Sequence, residues 1–197
     1  MTESLSHFVS VLLVLGLVLP VHEFAHGWVA AKLGDLTAKQ LGRLTLDPRA
    51  HLDPLGTLAI FLVGFGWGKP VPFNPANLKN PRRDSALVAL AGPLSNFLMA
   101  LVLAAILHVF DLSGWGLFLT AALVRFNLLL GLFNLLPVYP LDGFRVVLGF
   151  LPPSLAYDWE EMSRFGVFIL MFLFLTGTAN LILGVPLEFL LKLLFPS

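Results

Sequence analysis

The 197-residue sequence contains no cysteine. That excludes disulfide frameworks and thiolate ligands, and leaves histidine and carboxylate to hold any transition metal. Charge is scarce as well. Only 12% of the residues are Asp, Glu, Lys or Arg, while 57% are hydrophobic and the mean hydropathy is +0.87. A soluble domain carries about twice that share of charge, so this surface is expected to face lipid. Twelve basic and twelve acidic residues cancel, and no net field favours nucleic acid. The opening MTESLSHF lacks the basic segment and small-residue cleavage site of a signal peptide, so the first apolar run is expected to stay as a span. Nothing in the composition marks an appended soluble module, and the expectation is one membrane-embedded domain over residues 1–197.

Long apolar runs are abundant. A membrane helix needs about 20 such residues, and the stretches 8–31, 85–110, 115–137 and 165–187 qualify or nearly do. Residues 187–195 read as a short interfacial helix. Between Ala86 and Phe110 there is no Asp, Glu, Lys or Arg at all. The segment 52–66 is too short for an ordinary span and reads as a re-entrant element. Charge supports this: eight of the twelve Lys and Arg (Lys32, Lys39, Arg43, Arg49, Lys69, Lys79, Arg82, Arg83) fall between 32 and 83. A dip and return keeps all eight on one side, which the positive-inside rule makes cytoplasmic. The fold class expected is an all-α polytopic membrane protein of about 4–6 transmembrane or re-entrant helices, with a small cytoplasmic-side β element around residues 36–75. Within it, Pro70, Pro72 and Pro75 rule out helix in the stretch 64–75 and suit an extended edge strand or a connecting loop.

The chemistry concentrates in His22-Glu23-Phe24-Ala25-His26. Histidines four apart on a helix share a face and converge on one cation, with the glutamate beside it. The motif lies in an apolar span, where an ionised carboxylate costs at least ~2.5 kcal/mol and is functional by default. A catalytic zinc takes three protein ligands and leaves a fourth position open. Candidates for the third ligand are Asp142, His51, Asp53, His108 and Asp111. His108 and Asp111 belong to the far end of their helix, and Asp53 precedes a proline as turn residues do. Asp142 follows a helix broken by Pro137 and Pro140, and broken helices at membrane depth line cavities. Asp142-Gly143 also fits a plain turn.

Four segments, HEFAH at 22–26, GWGKPVPFNP at 66–75, AGPLSN at 91–96 and NLLPVYPLDG at 134–143, together resemble the site-2 protease family of intramembrane zinc metalloproteases. The resemblance covers roughly residues 16–150 and looks like the short form without appended soluble modules. It implies one zinc ion per chain held by His22, His26 and Asp142, with Glu23 as catalytic base. It also implies that the substrate, a single-span membrane protein in the lipid bilayer, is extended beside residues 66–75, with Lys69, Pro70 and Val71 as contacts. The activity implied is hydrolysis of transmembrane or membrane-proximal peptide bonds in regulated intramembrane proteolysis, in a multi-pass cell-membrane protein whose active site lies toward the cytoplasmic side. Asp47 and Gly68 depart from the residues usual in relatives.

Other polar residues stay open. Asn134 belongs to a shared motif and is assigned to substrate backbone or the developing oxyanion. Asn127, seven residues earlier on the same face, suits that role or a helix–helix contact equally. Asn96 reads as structural, with Gly92 allowing close packing. Pro20 is expected to kink the first helix. Arg125 sits deep in an apolar run and calls for a buried partner or snorkelling. The rival readings are a zinc transporter, whose outer half would have only His108 and Asp111 to offer, and an inactive protease-like scaffold.

Overall fold

A computed structural model describes residues 3–63 and 66–195. Every named element is helical, and the one β pairing among the described residues is an isolated bridge between Leu52 and Gly68. The small β element expected around 36–75 is therefore not formed. Helix α3 (Thr37–Gln40), a tight turn at Pro48–Ala50 and the helix Pro54–Val63 take up much of that stretch. Beyond it, three prolines withhold the N–H groups that a ladder needs. Gly64 and Phe65, at the head of the expected strand, lie outside the described residues.

Among the described residues, three helices are long and apolar enough to cross a membrane, and a bent pair could make a fourth span. The first begins as α1 (Glu3–Leu13), loosens into a wide π turn over Val14–Val18, and continues as α2 (Leu19–Leu33). The wide turn directly precedes Pro20, whose missing N–H would otherwise break the regular ladder. Gly34, at φ 115°, closes α2 with its N–H on Ala30 and Ala31.

The helix Pro54–Val63 is α4. Its Phe61 packs on Phe8 of α1 with ring centroids 6.0 Å apart. The Leu52–Gly68 bridge ties the two feet of this excursion together, so the chain leaves and returns at one level. Two long helices follow. Helix α5 (Pro81–Val109) starts on a proline, with Asp84 accepting from the Asn80 N–H at 2.8 Å. Helix α6 (Gly114–Asn134) turns back against it. Ala100 and Ala104 of α5 allow close approach to Val124 and Leu128 of α6, and Leu187 completes this core.

Helix α7 (Asp142–Phe150) packs on the first half of α5, where a Cβ on Gly149 would overlap Ala86. After α8 (Pro153–Glu161) the chain departs from expectation. The run 165–187 is not one helix: α9 (Gly166–Leu175) and α10 (Thr178–Leu194) meet at a 78° bend. Gly177 makes the corner in the left-handed region at φ 73°. Helix α10 then runs through Pro186 to Leu194, so no separate interfacial helix begins at 187. Arg125 is exposed on α6 and makes no ion pair or hydrogen bond with a described residue. No buried partner stands among the described residues, and its exposed position is compatible with snorkelling.

Candidate metal centre

Three elements meet at the site: α2 brings His22, Glu23 and His26, α5 brings Gly92 and Asn96, and α7 brings Asp142 as its first residue. Gly92 lies about 16 Å along α5 from its first residue, Pro81. His22 and Glu23 are buried, at 3% and 8% exposure. The Nε2 atoms of His22 and His26 are 3.0 Å apart. Asp142 Oδ2 lies 3.2 Å from the first and 3.3 Å from the second.

The protonation pattern of this triangle follows from its surroundings. The Leu123 carbonyl can only accept, so the Asn127 Nδ2 group donates to it at 2.9 Å. That turns Asn127 Oδ1 toward Asn96, which must donate through Nδ2, again at 2.9 Å. Asn96 Oδ1 is left facing His22 Nδ1 at 2.7 Å, so His22 donates from Nδ1. His26 donates from Nδ1 to the Val88 carbonyl at 2.7 Å. Neutral imidazoles with a proton on Nδ1 carry a lone pair on Nε2. Two lone pairs and a carboxylate oxygen thus point at one another, and Asp142 Oδ2 is buried with no hydrogen-bond donor among the described residues. Such a cluster repels itself unless a cation sits within it.

The dimensions agree with this. Ligands about 2.0–2.1 Å from zinc at tetrahedral angles stand about 3.3 Å from one another, close to the 3.0, 3.2 and 3.3 Å found here. The residues present fit zinc. These three are also the only cluster of metal-type donors among the described residues.

The glycines of the motifs make the approach possible. A Cβ on Gly92 would run into both imidazoles, at His26 Nε2 and Cε1 and at His22 Cε1. A Cβ on Gly143 would overlap the Leu135 and Leu136 backbone, so only glycine lets α7 start against the end of α6. Phe144 then anchors the helix, stacking on Trp159 at 5.3 Å while the indole N–H donates to the Phe144 carbonyl at 3.0 Å.

The remaining candidates separate cleanly. His51 is fully buried and donates from Nε2 to the Thr45 carbonyl at 2.8 Å, while Asp53 accepts from the Gly56 N–H at 2.8 Å as the cap of α4. His108 donates to the Ala104 carbonyl and stacks on Phe195, away from the centre. Asn134 is half-buried and bonds the Leu130 carbonyl of its own helix at 3.1 Å. Lys69, Pro70 and Val71 lie in an extended stretch beside the site, with Lys69 and Pro70 exposed and Val71 buried.

Sequence reading missed how this stretch is held. Arg43 Nη2 donates to the Lys69 and Pro70 carbonyls at 2.7 and 3.2 Å. Asp35, fully buried, accepts from the Asn74 N–H and Asn77 Nδ2, both at 2.7 Å, and from Thr37 Oγ1 at 2.5 Å. Burial pushes the Asp35 carboxyl up, but these hydrogen bonds outweigh it and hold it below the ordinary 3.8. An acidic residue just past a helix C-cap was the available sequence signal: a carboxylate there is unfavourable unless something else demands it.

A bundle of apolar helices enclosing a HExxH pair and a carboxylate from a separate element defines a membrane-embedded zinc metalloenzyme. The model of peptidase family M50 matches residues 10–114. The chain is 40% identical over 172 residues to YwhC of Bacillus subtilis (strain 168), covering 83% of this chain and 78% of that one. It is 35% identical over 168 residues to Rip2 of Mycobacterium tuberculosis (strain H37Rv), covering 81% of this chain and 64% of Rip2. MJ0392 of Methanocaldococcus jannaschii is 31% identical over 147 residues, with 75% of this chain and 35% of MJ0392 aligned. All three are named as zinc metalloproteases. No solved structure matches the chain. The chain belongs to peptidase family M50, and its cofactor is zinc.

Proposed function

We propose that this chain is an endopeptidase that cuts transmembrane or membrane-proximal segments of membrane proteins within the bilayer, with His22, His26 and Asp142 holding zinc and Glu23 as the base. The observation that carries the reading is the buried acceptor triangle with a carboxylate one residue from its first ligand. Zinc, when bound there, supplies Lewis-acid polarisation of a carbonyl and a water of lowered pKa. Glu23, beside the site, would serve as general base toward the attacking water and as general acid toward the leaving amine.

A helical substrate hides its carbonyls in i to i−4 bonds and must unwind before attack. The extended stretch at Lys69, Pro70 and Val71 is the surface on which the unwound segment would lie, in the manner of strand addition. Of its polar groups, Val71 O, Pro72 O and Phe73 N–H have no described partner and are free to pair with substrate. Asn134 is the last residue of α6, and its second amide hydrogen, not used in the bond to the Leu130 carbonyl, would be the donor to substrate backbone or oxyanion. Eight basic residues gathered between 32 and 83 put the site nearer the cytoplasmic face.

Glu23→Gln is expected to retain about one zinc per chain while cleavage falls by about 10²–10⁴-fold. Zinc by elemental analysis and cleavage of a labelled single-span substrate in liposomes are the two readouts. Undiminished cleavage by this variant would end the protease reading. Comparing membrane proteomes with and without the substitution would reveal the substrate as a stabilised single-span protein.

A further inference from the structure

Between Lys69 and Phe73 the sequence reads Pro70-Val71-Pro72. The two prolines have no N–H, so this stretch carries a single backbone donor, on Val71. That donor is not turned to solvent or left for a ladder. It donates to Glu23 Oε2 at 2.7 Å, with both residues buried. No other donor among the described residues reaches the Glu23 carboxylate. One oxygen is therefore tied and the other, Oε1, is free.

We infer that the Val71 backbone N–H is a positioning group for the catalytic base: it fixes the Glu23 side chain by one oxygen so that the other faces the water to be deprotonated. The inference rests on the proposed hydrolytic reading.

Three arrangements support it. The donor is itself held on both sides. Lys69 N–H bonds the His51 carbonyl at 2.8 Å, Arg43 grips the Lys69 and Pro70 carbonyls, and Asp35 takes the Asn74 N–H. The prolines flanking Val71 restrict the chain to extended backbone, so the N–H cannot swing away without breaking those ties. Finally, Gly27, one turn after Glu23, lets the segment come this close. A Cβ there would lie 3.1 Å from Val71 Cγ1 and 3.3 Å from Leu44 Cδ1.

A charge-assisted bond from a fixed amide is strong and geometrically demanding. Without it, a buried carboxylate samples several rotamers, and loss of a near-attack arrangement costs rate and not binding. The segment expected to receive substrate is thus also the segment that aims the base. Its Val71 N–H belongs to the enzyme, while Val71 O and Phe73 N–H are left for the substrate.

Val71→Pro removes the donor and keeps the extended backbone. Val71→Ala keeps the donor and serves as the reference for loss of the side chain. The expected result is a kcat for Val71→Pro at least tenfold below that of Val71→Ala, with KM of the two within threefold and about one zinc per chain in both. Should Val71→Pro fail to fold or lose zinc, a backbone ester at Val71, made by incorporating the α-hydroxy analogue of valine, deletes the N–H alone and decides the matter by the same two constants. Equal kcat with and without the N–H overturns the inference. So does a loss carried mainly by KM, which would assign the donor to substrate. The parent enzyme and Glu23→Gln are assayed alongside, so failure of the hydrolytic reading shows as absent parent cleavage, separate from either result at Val71.

Discussion

At the scale of single residues, the AGPLSN motif turns out to serve the HEFAH motif. Gly92 and Asn96 stand four apart on one face of α5 and both address the imidazoles. The glycine makes room for them, and the asparagine holds His22 by its Nδ1. Outer-shell partners of this kind fix a tautomer and raise ligand basicity. Asn96→Ala is therefore expected to weaken zinc binding by about 10–100-fold, measured by competition with a chelating dye, with cleavage recovered at excess zinc. Unchanged affinity would mean that Asn96 merely fills the interface. The histidine pair and its glutamate were legible from spacing alone, because four residues on a helix always share a face. Asn96 was not: whether an amide in an apolar helix meets lipid, a neighbour's backbone or a metal ligand depends on how that helix is rotated.

At the scale of elements, the stretch Gly68–Asn74 is neither strand nor free loop. It keeps an extended shape because Arg43, His51 and Asp35 bond its backbone from the side. Asp35 ties Asn74 to Thr37 and Asn77, and these bonds hold its carboxyl below its ordinary value. A group with a lowered folded pKa stabilises fully above its unfolded pKa and loses that contribution as the pH falls through the folded one. The stabilisation from Asp35 is thus present at pH 5 and above, and drains away in the acid range below 3.8. Asp35→Asn should lower stability at neutral pH by about 1–3 kcal/mol, and should flatten the acid limb of a pH–stability curve. Thermal unfolding in detergent across that range is the measurement. An identical acid limb in both proteins would remove Asp35 from this role. Alternating prolines correctly excluded helix here, yet the same prolines remove the N–H groups of Pro70 and Pro72, so no ladder forms among the described residues and the expected strand is a braced single thread.

At the scale of the molecule, the absence of cysteine becomes an experimental advantage. Single cysteines introduced at Lys39, Lys79 and Ser113 can be labelled without background. With α4 returning to its starting level at the Leu52–Gly68 bridge, positions 39 and 79 should react only from the cytoplasmic side and position 113 only from the other. Opposite labelling of 39 and 79 would make α4 a true span. The bend at Gly177 belongs to this scale too. The run 165–187 is apolar almost throughout, so hydropathy reads it as one span, while a single left-handed glycine divides it.

The sequence by itself determined that the chain is built for lipid, roughly where three of its long apolar helices run, and that a histidine pair and a glutamate share one helix face. These depend on composition and on periodicities that neighbouring residues impose on each other. Only the tertiary structure decided that Asp142 closes the triangle, that Asn127 and Asn96 set the tautomer of His22, and that Val71 reaches Glu23. Those contacts join residues 31 to 120 positions apart, across interfaces whose rotation and register are set by packing around glycines. No local pattern carries that information.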